Sequence, residues 1–233
     1  MSSSTGTILL VGASRGIGLA MAAQFLTKGW HVVGTVRGAR RTALHDLADA
    51  HDGQLQIETL DMTAPDQIAA LRDRLSGRTF AMLFVNAGIA NRYPMQTIGE
   101  VSTDDFVQVM ITNALSPMRV IESLDGNVAA DGLIGVMSSG QGSIANNQTG
   151  MRELYRGSKA ALNMFMRSYA ARHAGSAQAM VVMAPGWIRT ELGGPDAPLA
   201  IEDSIPSLVD VLLVKQHRPG LEYLDYLGRT VPW

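Results

Sequence analysis

The sequence predicts an α/β fold in which helices cover both faces of a doubly wound parallel sheet. Short runs rich in apolar and β-branched residues alternate with longer helical patterns along the 233 residues. Several of these runs are apolar throughout, as is typical of strands that are buried on both faces of a sheet. Glycine-rich or polar segments follow the runs, where a parallel sheet of this kind forms its ligand crevice.

The pattern predicts seven strands and six helices. The strands are expected at residues 7–11, 31–36, 54–60, 81–86, 132–138, 179–184 and 222–225. The helices are expected at 16–28, 41–50, 65–76, 103–124, 152–173 and 205–214. Residues 191–203 are rich in Gly and Pro, which predicts an irregular loop within a lid near 187–205.

Composition narrows the function classes. The chain is 46% hydrophobic and 17% charged with a net charge of −2, which gives no general field for nucleic acid or membranes. It has no cysteine, which excludes disulfides and thiolate metal sites and suits a reducing cytoplasm. Residues 1–7 lack the features of a signal peptide, and no run of ~18 apolar residues occurs. We therefore expect a cytoplasmic protein with no metal site, nucleic-acid partner or membrane partner.

A glycine-rich turn, V-G-A-S-R-G-I-G, follows the first predicted strand and opens the first helix. Glycines there allow a sharp turn and close approach to a pyrophosphate, and the helix N-terminus offers free N–H groups. A glycine triplet alone is weak evidence for a cofactor site. Its position between a predicted strand and a predicted helix favours a dinucleotide site. The predicted cofactor contacts in the turn are Gly12, Ser14, Arg15, Gly16, Ile17 and Gly18.

The end of the second strand predicts which nicotinamide cofactor is used. An acid there usually bonds the ribose hydroxyls of NAD, whereas this chain has Val36 and then Arg37. Arg15 and Arg37 together could hold a 2′-phosphate through charge-assisted hydrogen bonds. The alternative is a pair of solvated surface arginines. The missing acid favours NADP(H).

Three later loops also follow predicted strands and extend the cofactor site. Each could be an ordinary turn, since N-A-G and P-G are common turn sequences. Their shared position at strand ends favours a common crevice. The predicted contacts are Asp61 and Met62, then Asn86, Ala87 and Gly88, and finally Pro185, Gly186, Trp187, Ile188 and Thr190.

Tyr155 and Lys159, in Y-R-G-S-K, lie four residues apart and therefore on one helix face. An ammonium beside a phenol stabilises the phenolate, so Tyr155 could exchange a proton as a general acid or base. Lys159 could also bind the nicotinamide ribose, so both residues are predicted cofactor contacts. A serine hydroxyl at Ser138–Ser139 could bond a substrate carbonyl. The amide of Asn113 could hold a water that links Lys159 to solvent, although a mid-helix asparagine is more often structural.

These motifs, in this order across most of the chain, resemble the short-chain dehydrogenase/reductase family. The resemblance implies a Rossmann-like, seven-stranded sheet of order 3-2-1-4-5-6-7 within one NADP(H)-binding domain, residues 1–233. It also implies a catalytic tetrad of Asn113, Ser139, Tyr155 and Lys159. A narrower resemblance to the C-factor/Sniffer-type subgroup, linked to signalling or carbonyl reduction, is carried by S-S-G-Q-G-S-I-A-N-N and the terminal G-R-T-V-P-W.

The chain departs from the family pattern at two points. Val11 stands where the family commonly has threonine, so a side-chain hydrogen bond that ties the turn is expected to be missing. The interval between Ser139 and Tyr155 is longer than usual, which leaves Ser138 and Ser143 as alternative substrate-orienting serines. The subgroup carries a similar insertion, and its alignment favours Ser139.

The leading hypothesis is an NADPH-dependent reductase of an aldehyde or ketone. The alternatives are an NADP(H)-binding sensor that acts through partners, and a sugar-nucleotide epimerase or dehydratase, for which the C-terminal region is short. The substrate pocket is expected along 90–95, 140–151 and 187–203. Helices 103–124 and 152–173 are the usual dimer faces of the family, which implies a homodimer or homotetramer. The predicted pocket is mostly apolar because of Tyr93, Met95, Met151, Trp187 and Leu192.

Overall fold

A seven-stranded, all-parallel sheet with the strand order β3-β2-β1-β4-β5-β6-β7 organises the computed structural model, which describes residues 5–233. Residues 1–4, part of the expected domain 1–233 and of the stretch tested for a signal peptide, lie outside the described residues. The strands are β1 (Thr7–Val11), β2 (His31–Val36), β3 (Leu55–Thr59), β4 (Phe80–Val85), β5 (Val128–Met137), β6 (Ala179–Ala184) and β7 (Gly220–Asp225).

The helices alternate with the strands, as the sequence predicts. They are α1 (Gly16–Thr27), α2 (Ala43–Ala50), α3 (Pro65–Arg74), α4 (Thr103–Met110), α5 (Ser116–Leu124), α6 (Glu153–Arg172) and α7 (Ile201–Lys215). Because all seven strands are parallel, their C-terminal ends lie at one edge of the sheet. The observed strand order and the α/β fold class confirm those expected from the sequence.

The last helix and β5 both begin four residues before their expected boundaries. For β5 the observed start is Val128 rather than residue 132. The last helix begins at Ile201 rather than at residue 205, so the irregular segment before it is shorter than expected. The prediction was wrong because Pro206 suggests a helix start, whereas Pro206 lies inside α7. The carboxylate of Asp203 accepts a hydrogen bond from the Ala200 amide at 2.7 Å and so closes the true N-terminus.

Two apolar layers cover the two faces of the sheet. Along β1, Leu9 and Val11 face a layer that includes side chains from α3, α5 and α6. Ile8 and Leu10 face the other layer, with side chains from α1, α2 and α7. Because alternate residues of one strand are buried on opposite faces, the apolar runs of the sequence form the centre of the molecule.

α4 and α5 form one helical rod, joined by a π-helical turn at Ile111–Leu115. The hydroxyl of Ser102 caps the rod by accepting a hydrogen bond from the Asp105 amide at 3.1 Å. Single π-turns inside α-helices are frequent at functional sites, and this one contains Asn113. Within residues 5–233, none of the helices is both long and apolar enough to cross a membrane.

Candidate active site

The glycine turn after β1 packs directly against the turn after β4. Gly12 has φ +86°, and a β-carbon on it would lie 2.7 Å from the β-carbon of Ala87. A β-carbon on Gly18 would lie 2.7 Å from the Asn86 side-chain nitrogen, which donates to the Gly12 carbonyl at 2.8 Å. These two glycines are therefore required by the packing of the turn itself. Gly16, at φ +55° with open space at its β-carbon position, is free to face a ligand.

Thr35, a residue that the sequence analysis missed, ties the glycine turn to β2. Its hydroxyl accepts a hydrogen bond from the Gly12 amide at 2.9 Å, and its side chain is buried. The expectation that Val11 leaves this turn without a side-chain tie is therefore wrong. A neighbouring strand supplies the hydroxyl, and the 23-residue separation hides the contact from a local motif search.

Arg15 and Arg37, the predicted 2′-phosphate ligands, both lie at the strand-end edge. Arg15 is the N-cap residue of α1 and forms an exposed ion pair with Glu191. Arg37 lies near enough to Asp61 to help lower the pKa of that carboxyl, although hydrogen bonds from Thr63 contribute more. Both arginines are exposed, so both guanidiniums can exchange their protein partners for a phosphate.

The other predicted cofactor contacts follow β3 and β6. Met62 is buried beside Asp61, and Ile188 is also buried, so only its backbone remains for a ligand. Gly186, at φ +90°, lies so close to Leu199 that a β-carbon would stand 2.7 Å from that side chain. Pro185 is tied to α7, because the Ser204 hydroxyl donates a hydrogen bond to its carbonyl oxygen at 2.6 Å.

Residues 187–200 form an internally hydrogen-bonded segment above the strand ends. The indole nitrogen of Trp187 donates to the Gly193 carbonyl at 2.8 Å, and the Gly193 amide donates to the Thr190 hydroxyl at 3.0 Å. Arg189 donates to the carbonyl of Ala197 at 2.9 Å. The ion pair with Arg15 joins this segment to the glycine turn across the crevice. A lid role for it stays a prediction.

Tyr155 and Lys159 lie buried on one face of α6, with only 6% and 3% of their surfaces exposed. The Lys159 ammonium donates to the Met137 carbonyl at 2.9 Å and lies 5.9 Å from the centre of the Tyr155 ring. Burial lowers the pKa of Lys159 to about 8. Burial also raises the pKa of Tyr155, while the Ser139 side chain and the charge of Arg152 lower it. The raised pKa of Tyr155 is opposite to the expectation, because desolvation outweighs the combined effect of Ser139 and the Arg152 charge.

Ser139 is the serine whose side chain interacts with the Tyr155 phenol. The Ser138 hydroxyl is buried and donates to the Asn163 side chain at 2.6 Å. The Ser143 hydroxyl accepts from the Asn146 amide at 3.1 Å. The Ser139 hydroxyl also accepts a hydrogen bond, from the Gln141 amide at 3.1 Å, but among the three serines it is the one that lowers the pKa of Tyr155. Ser139 stays the predicted substrate-orienting serine.

Asn113 holds the strand-end turn that follows β4. Its side chain accepts from the Ile89 amide and donates to the Ile89 carbonyl, both at 2.8 Å, and it also donates to the Ser158 hydroxyl at 3.0 Å. A β-carbon on Gly88 would lie 3.2 Å from the Lys159 ammonium and 3.3 Å from the Asn113 oxygen. Gly88 therefore keeps open the small space where these two side chains converge.

Three further residues next to the site were missed by the sequence analysis. Tyr223 donates from its hydroxyl to the Ser139 carbonyl, and Asn163 donates to the Gly142 carbonyl at 3.1 Å. Arg152 lies with its guanidinium carbon 5.2 Å from the centre of the Tyr155 ring. Of these three, only Arg152 could have been found from the sequence, because it lies one helical turn before Tyr155.

The predicted apolar lining is exposed rather than part of the core. Tyr93, Met95, Met151, Trp187 and Leu192 are 40–63% exposed, so none of them is part of the core. Across residues 5–233, no three His, Cys, Asp or Glu side chains are grouped as a metal site. The strand-end edge thus carries a glycine turn, two exposed arginines, an exposed apolar rim and a buried tyrosine–lysine pair.

Comparison with known proteins identifies close relatives. The family model described as short chain dehydrogenase matches residues 6–198. A solved structure from Burkholderia multivorans, described as a short-chain dehydrogenase/reductase with bound NADP, is 70% identical with a TM-score of 0.97. The match covers 98% of this chain and 100% of that one.

Two more distant relatives belong to the subgroup that the sequence resembles. The C-signal protein of Myxococcus xanthus is 33% identical over 154 residues, 65% of this chain and 92% of that protein. The structure of the carbonyl reductase Sniffer of D. melanogaster is 26% identical with a TM-score of 0.89, covering 98% of this chain and 100% of that one. The resemblance drawn from the sequence motifs is thereby confirmed.

Proposed function

The chain belongs to the short-chain dehydrogenase/reductase family, and we propose that it is an NADP(H)-dependent carbonyl reductase or alcohol dehydrogenase. The observation that carries the proposal is the Ser139–Tyr155–Lys159 cluster. Tyr155 is 6% exposed, the Ser139 side chain lowers the pKa of its phenol, and the buried ammonium of Lys159 lies 5.9 Å from the centre of its ring, at the sheet edge that carries the glycine turn. This donor set suits proton transfer to a carbonyl oxygen.

The strand-end edge fits a dinucleotide phosphate. Gly16 leaves open space at the start of α1, where the N-cap residue Arg15 makes no side-chain cap, so the first amides of the helix can bind a pyrophosphate. Arg15 and Arg37 would hold the 2′-phosphate, which supports NADP(H) over NAD(H). The relative from B. multivorans was solved with NADP. The remaining predicted contacts are Asp61, Met62, Asn86, Ala87, Gly88, Pro185, Gly186, Trp187, Ile188 and Thr190.

In the proposed mechanism, the side chains orient the substrate and move one proton. The bound nicotinamide supplies the hydride in reduction and accepts it in oxidation. The Ser139 hydroxyl donates a hydrogen bond to the substrate oxygen, and the Tyr155 hydroxyl gives that oxygen its proton. Lys159 stabilises the resulting phenolate. Asn113 keeps the turn after β4 in place beside Lys159.

Substitution of Tyr155 by Phe tests this function. We expect NADPH binding to be retained and turnover of aldehydes or ketones to fall by about 10²–10⁴-fold, the usual contribution of a general acid. NADPH consumption is followed by its absorbance with a panel of carbonyl substrates, and binding is measured separately by calorimetry. Turnover at the wild-type rate in the Tyr155→Phe variant would rule out the proposed proton donor.

The similarity to the C-signal protein favours one alternative, an NADP(H)-binding protein that signals through partners. Retention of both Tyr155 and Lys159 supports the enzyme instead. Tight NADPH binding without turnover across the carbonyl panel would favour the signalling protein.

A homodimer or homotetramer also forms part of the proposal. Exposed apolar side chains lie on the two helices that the family resemblance assigns to subunit contacts, Phe106, Val107 and Leu115 on the α4–α5 rod and Met164 and Phe165 on α6. Burial of these groups in an interface is favourable. Sedimentation velocity of the full chain measures the assembly, and a monomer at micromolar concentration would contradict it.

A further inference from the structure

Arg152 has a backbone conformation that side chains rarely adopt. Its φ of 62° and ψ of 42° lie in the left-handed region, and within residues 5–233 it is the only non-glycine residue with a positive φ. This conformation costs on the order of 1–2 kcal/mol for an ordinary side chain and is found disproportionately at functional sites. It makes no side-chain cap for α6, so helix capping does not explain the arginine.

The guanidinium of Arg152 lies over the ring of Tyr155. Its central carbon is 5.2 Å from the ring centre, within the range of a cation–π contact. The Nε atom is buried and makes no hydrogen bond within residues 5–233. The guanidinium therefore faces the aromatic ring with no competing hydrogen bond at Nε within residues 5–233.

Two cations therefore approach Tyr155, from one helical turn before it and one after it. Lys159 lies 5.9 Å from the ring centre, but its burial lowers the pKa of the ammonium to about 8. Its charge is consequently lost as the pH rises above 8. A guanidinium remains charged at every pH at which proteins are stable. Arg152 is the permanent cation of the pair.

The remaining groups around the phenol come from other elements. The Ser139 side chain after β5 lowers the pKa of Tyr155. The Tyr223 phenol lies on β7, and burial, with a smaller contribution from the charge of Tyr155, raises its pKa to about 12. The Glu153 carboxylate, next to Arg152 in sequence, accepts a hydrogen bond from the Ile98 amide at 2.8 Å. It is thereby anchored to the loop before α4.

We propose that Arg152 is a positioning residue whose guanidinium, seated over the ring of Tyr155, stabilises the phenolate form of that side chain. The proposal rests on the proposed function, because the phenolate is the base in alcohol oxidation and the phenol is the acid in carbonyl reduction. Without the arginine, Tyr155 holds its proton more tightly. The pH at which alcohol oxidation gains activity and the pH at which carbonyl reduction loses it both increase.

The test compares Arg152→Asn with Arg152→Lys. Asn tolerates the left-handed backbone and is a favourable N-cap residue, so it removes the charge with little disturbance of the fold. We expect the alkaline rise of oxidation and the alkaline fall of reduction both to move up by about one pH unit in Arg152→Asn, as for loss of a charge within ~6 Å. Arg152→Lys retains the charge and is expected to restore the wild-type profile.

Two controls separate an electrostatic effect from a structural one. Arg152→Gly, which also accepts the left-handed backbone, provides a second neutral variant in case the asparagine variant unfolds. Arg72→Gln removes an exposed arginine of α3 that pairs with Asp73, and its profile is expected to match the wild type. We expect the thermal midpoints of Arg152→Asn and Arg152→Gly to be at or near that of the wild type, because each relieves the backbone strain.

A spectroscopic titration distinguishes failure of this proposal from failure of the proposed function. The ultraviolet absorbance of tyrosinate is followed against pH in cofactor-free protein, and the Tyr155→Phe curve is subtracted to isolate Tyr155. An upward shift in Arg152→Asn and its reversal in Arg152→Lys support the proposal, even if Tyr155→Phe retains turnover. An unchanged Tyr155 titration in both neutral variants overturns it, whatever the activity.

Discussion

The hydroxyl of Tyr223 donates a hydrogen bond to the backbone carbonyl of Ser139, across 84 residues of sequence. Tyr223 lies on β7, and its ring packs 5.2 Å from that of Trp233. The Trp233 carbonyl in turn accepts from the Ala145 amide at 3.1 Å. The C-terminal strand and the residues after it therefore hold both ends of the segment that begins with the candidate catalytic serine.

Removal of the Tyr223 hydroxyl is expected to loosen Ser139. In Tyr223→Phe the Ser139 carbonyl loses its buried partner, which costs about 1 kcal/mol of unfolding free energy. We also expect kcat/KM to fall roughly tenfold, because the serine is no longer held in position. Tyr169→Phe is the matched control, since it also loses a tyrosine hydrogen bond, to Asp125 at 3.2 Å. Equal kinetic losses in both variants would contradict a positioning role.

Adding a methyl group at Gly88 is expected to separate Lys159 from Asn113. The new β-carbon would stand within 3.3 Å of both polar groups, so at least one side chain must move. We expect Gly88→Ala to lose about 100-fold in kcat, as small displacements of catalytic groups do. Gly157→Ala, on the exposed face of α6 with open space at its β-carbon, is expected to keep its activity and gain about 0.5–1 kcal/mol of stability.

Because of Lys159, the free energy of unfolding is expected to rise with pH between about 8 and 10.5. Its pKa falls from 10.5 in the unfolded chain to about 8 in the fold, so the folded state binds fewer protons between those values. The buried charge thus costs about 3 kcal/mol below pH 8, and this cost disappears as the pH rises toward 10.5.

Denaturant unfolding of the wild type and of Lys159→Met across this pH range measures the effect. We expect the wild type to gain stability relative to the variant between pH 8 and 10.5. The buried Lys215 is present in both proteins, so its own titration cancels in the comparison. A difference that stays constant over that range would show that the ammonium does not titrate there.

The two exposed arginines are expected to determine the preference for NADPH. Arg37→Ala should weaken NADPH binding by about 10–100-fold, as for loss of a charge-assisted hydrogen bond. Arg15→Ala should cost less, because Glu191 already competes for its guanidinium. NADH lacks the 2′-phosphate and serves as the control ligand. Calorimetric titration that shows equal losses for both nucleotides would remove the assigned role.

The fold could be predicted because its signals are local and repeated. Each strand of the sheet is a short apolar run, and β1 shows the pattern directly, with every residue from Ile8 to Val11 buried. The boundaries of α7 could not be predicted, because the Asp203 carboxylate that caps it competes with the stronger local signal of Pro206.

The candidate site could be predicted only where its residues form motifs. Tyr155 and Lys159 share one helix, and the glycine turn is continuous in sequence. Thr35 and Tyr223 act through contacts that the sheet creates between distant segments, and nothing near them in sequence indicates those partners. The raised pKa of Tyr155 also escaped prediction, since it results from the depth of burial rather than from the neighbouring residue types.

The hydrogen bond between Tyr223 on β7 and Ser139 determines the order in which the parts of the site can form during synthesis. A ribosome releases the tyrosine, the lysine and the glycine turn well before the strand at Gly220–Asp225 emerges. A nascent chain at that stage already contains the residues of the glycine turn. It still lacks Tyr223, whose hydroxyl binds the Ser139 carbonyl. The side chain that binds the Ser139 carbonyl is therefore among the last parts of the site to be synthesised.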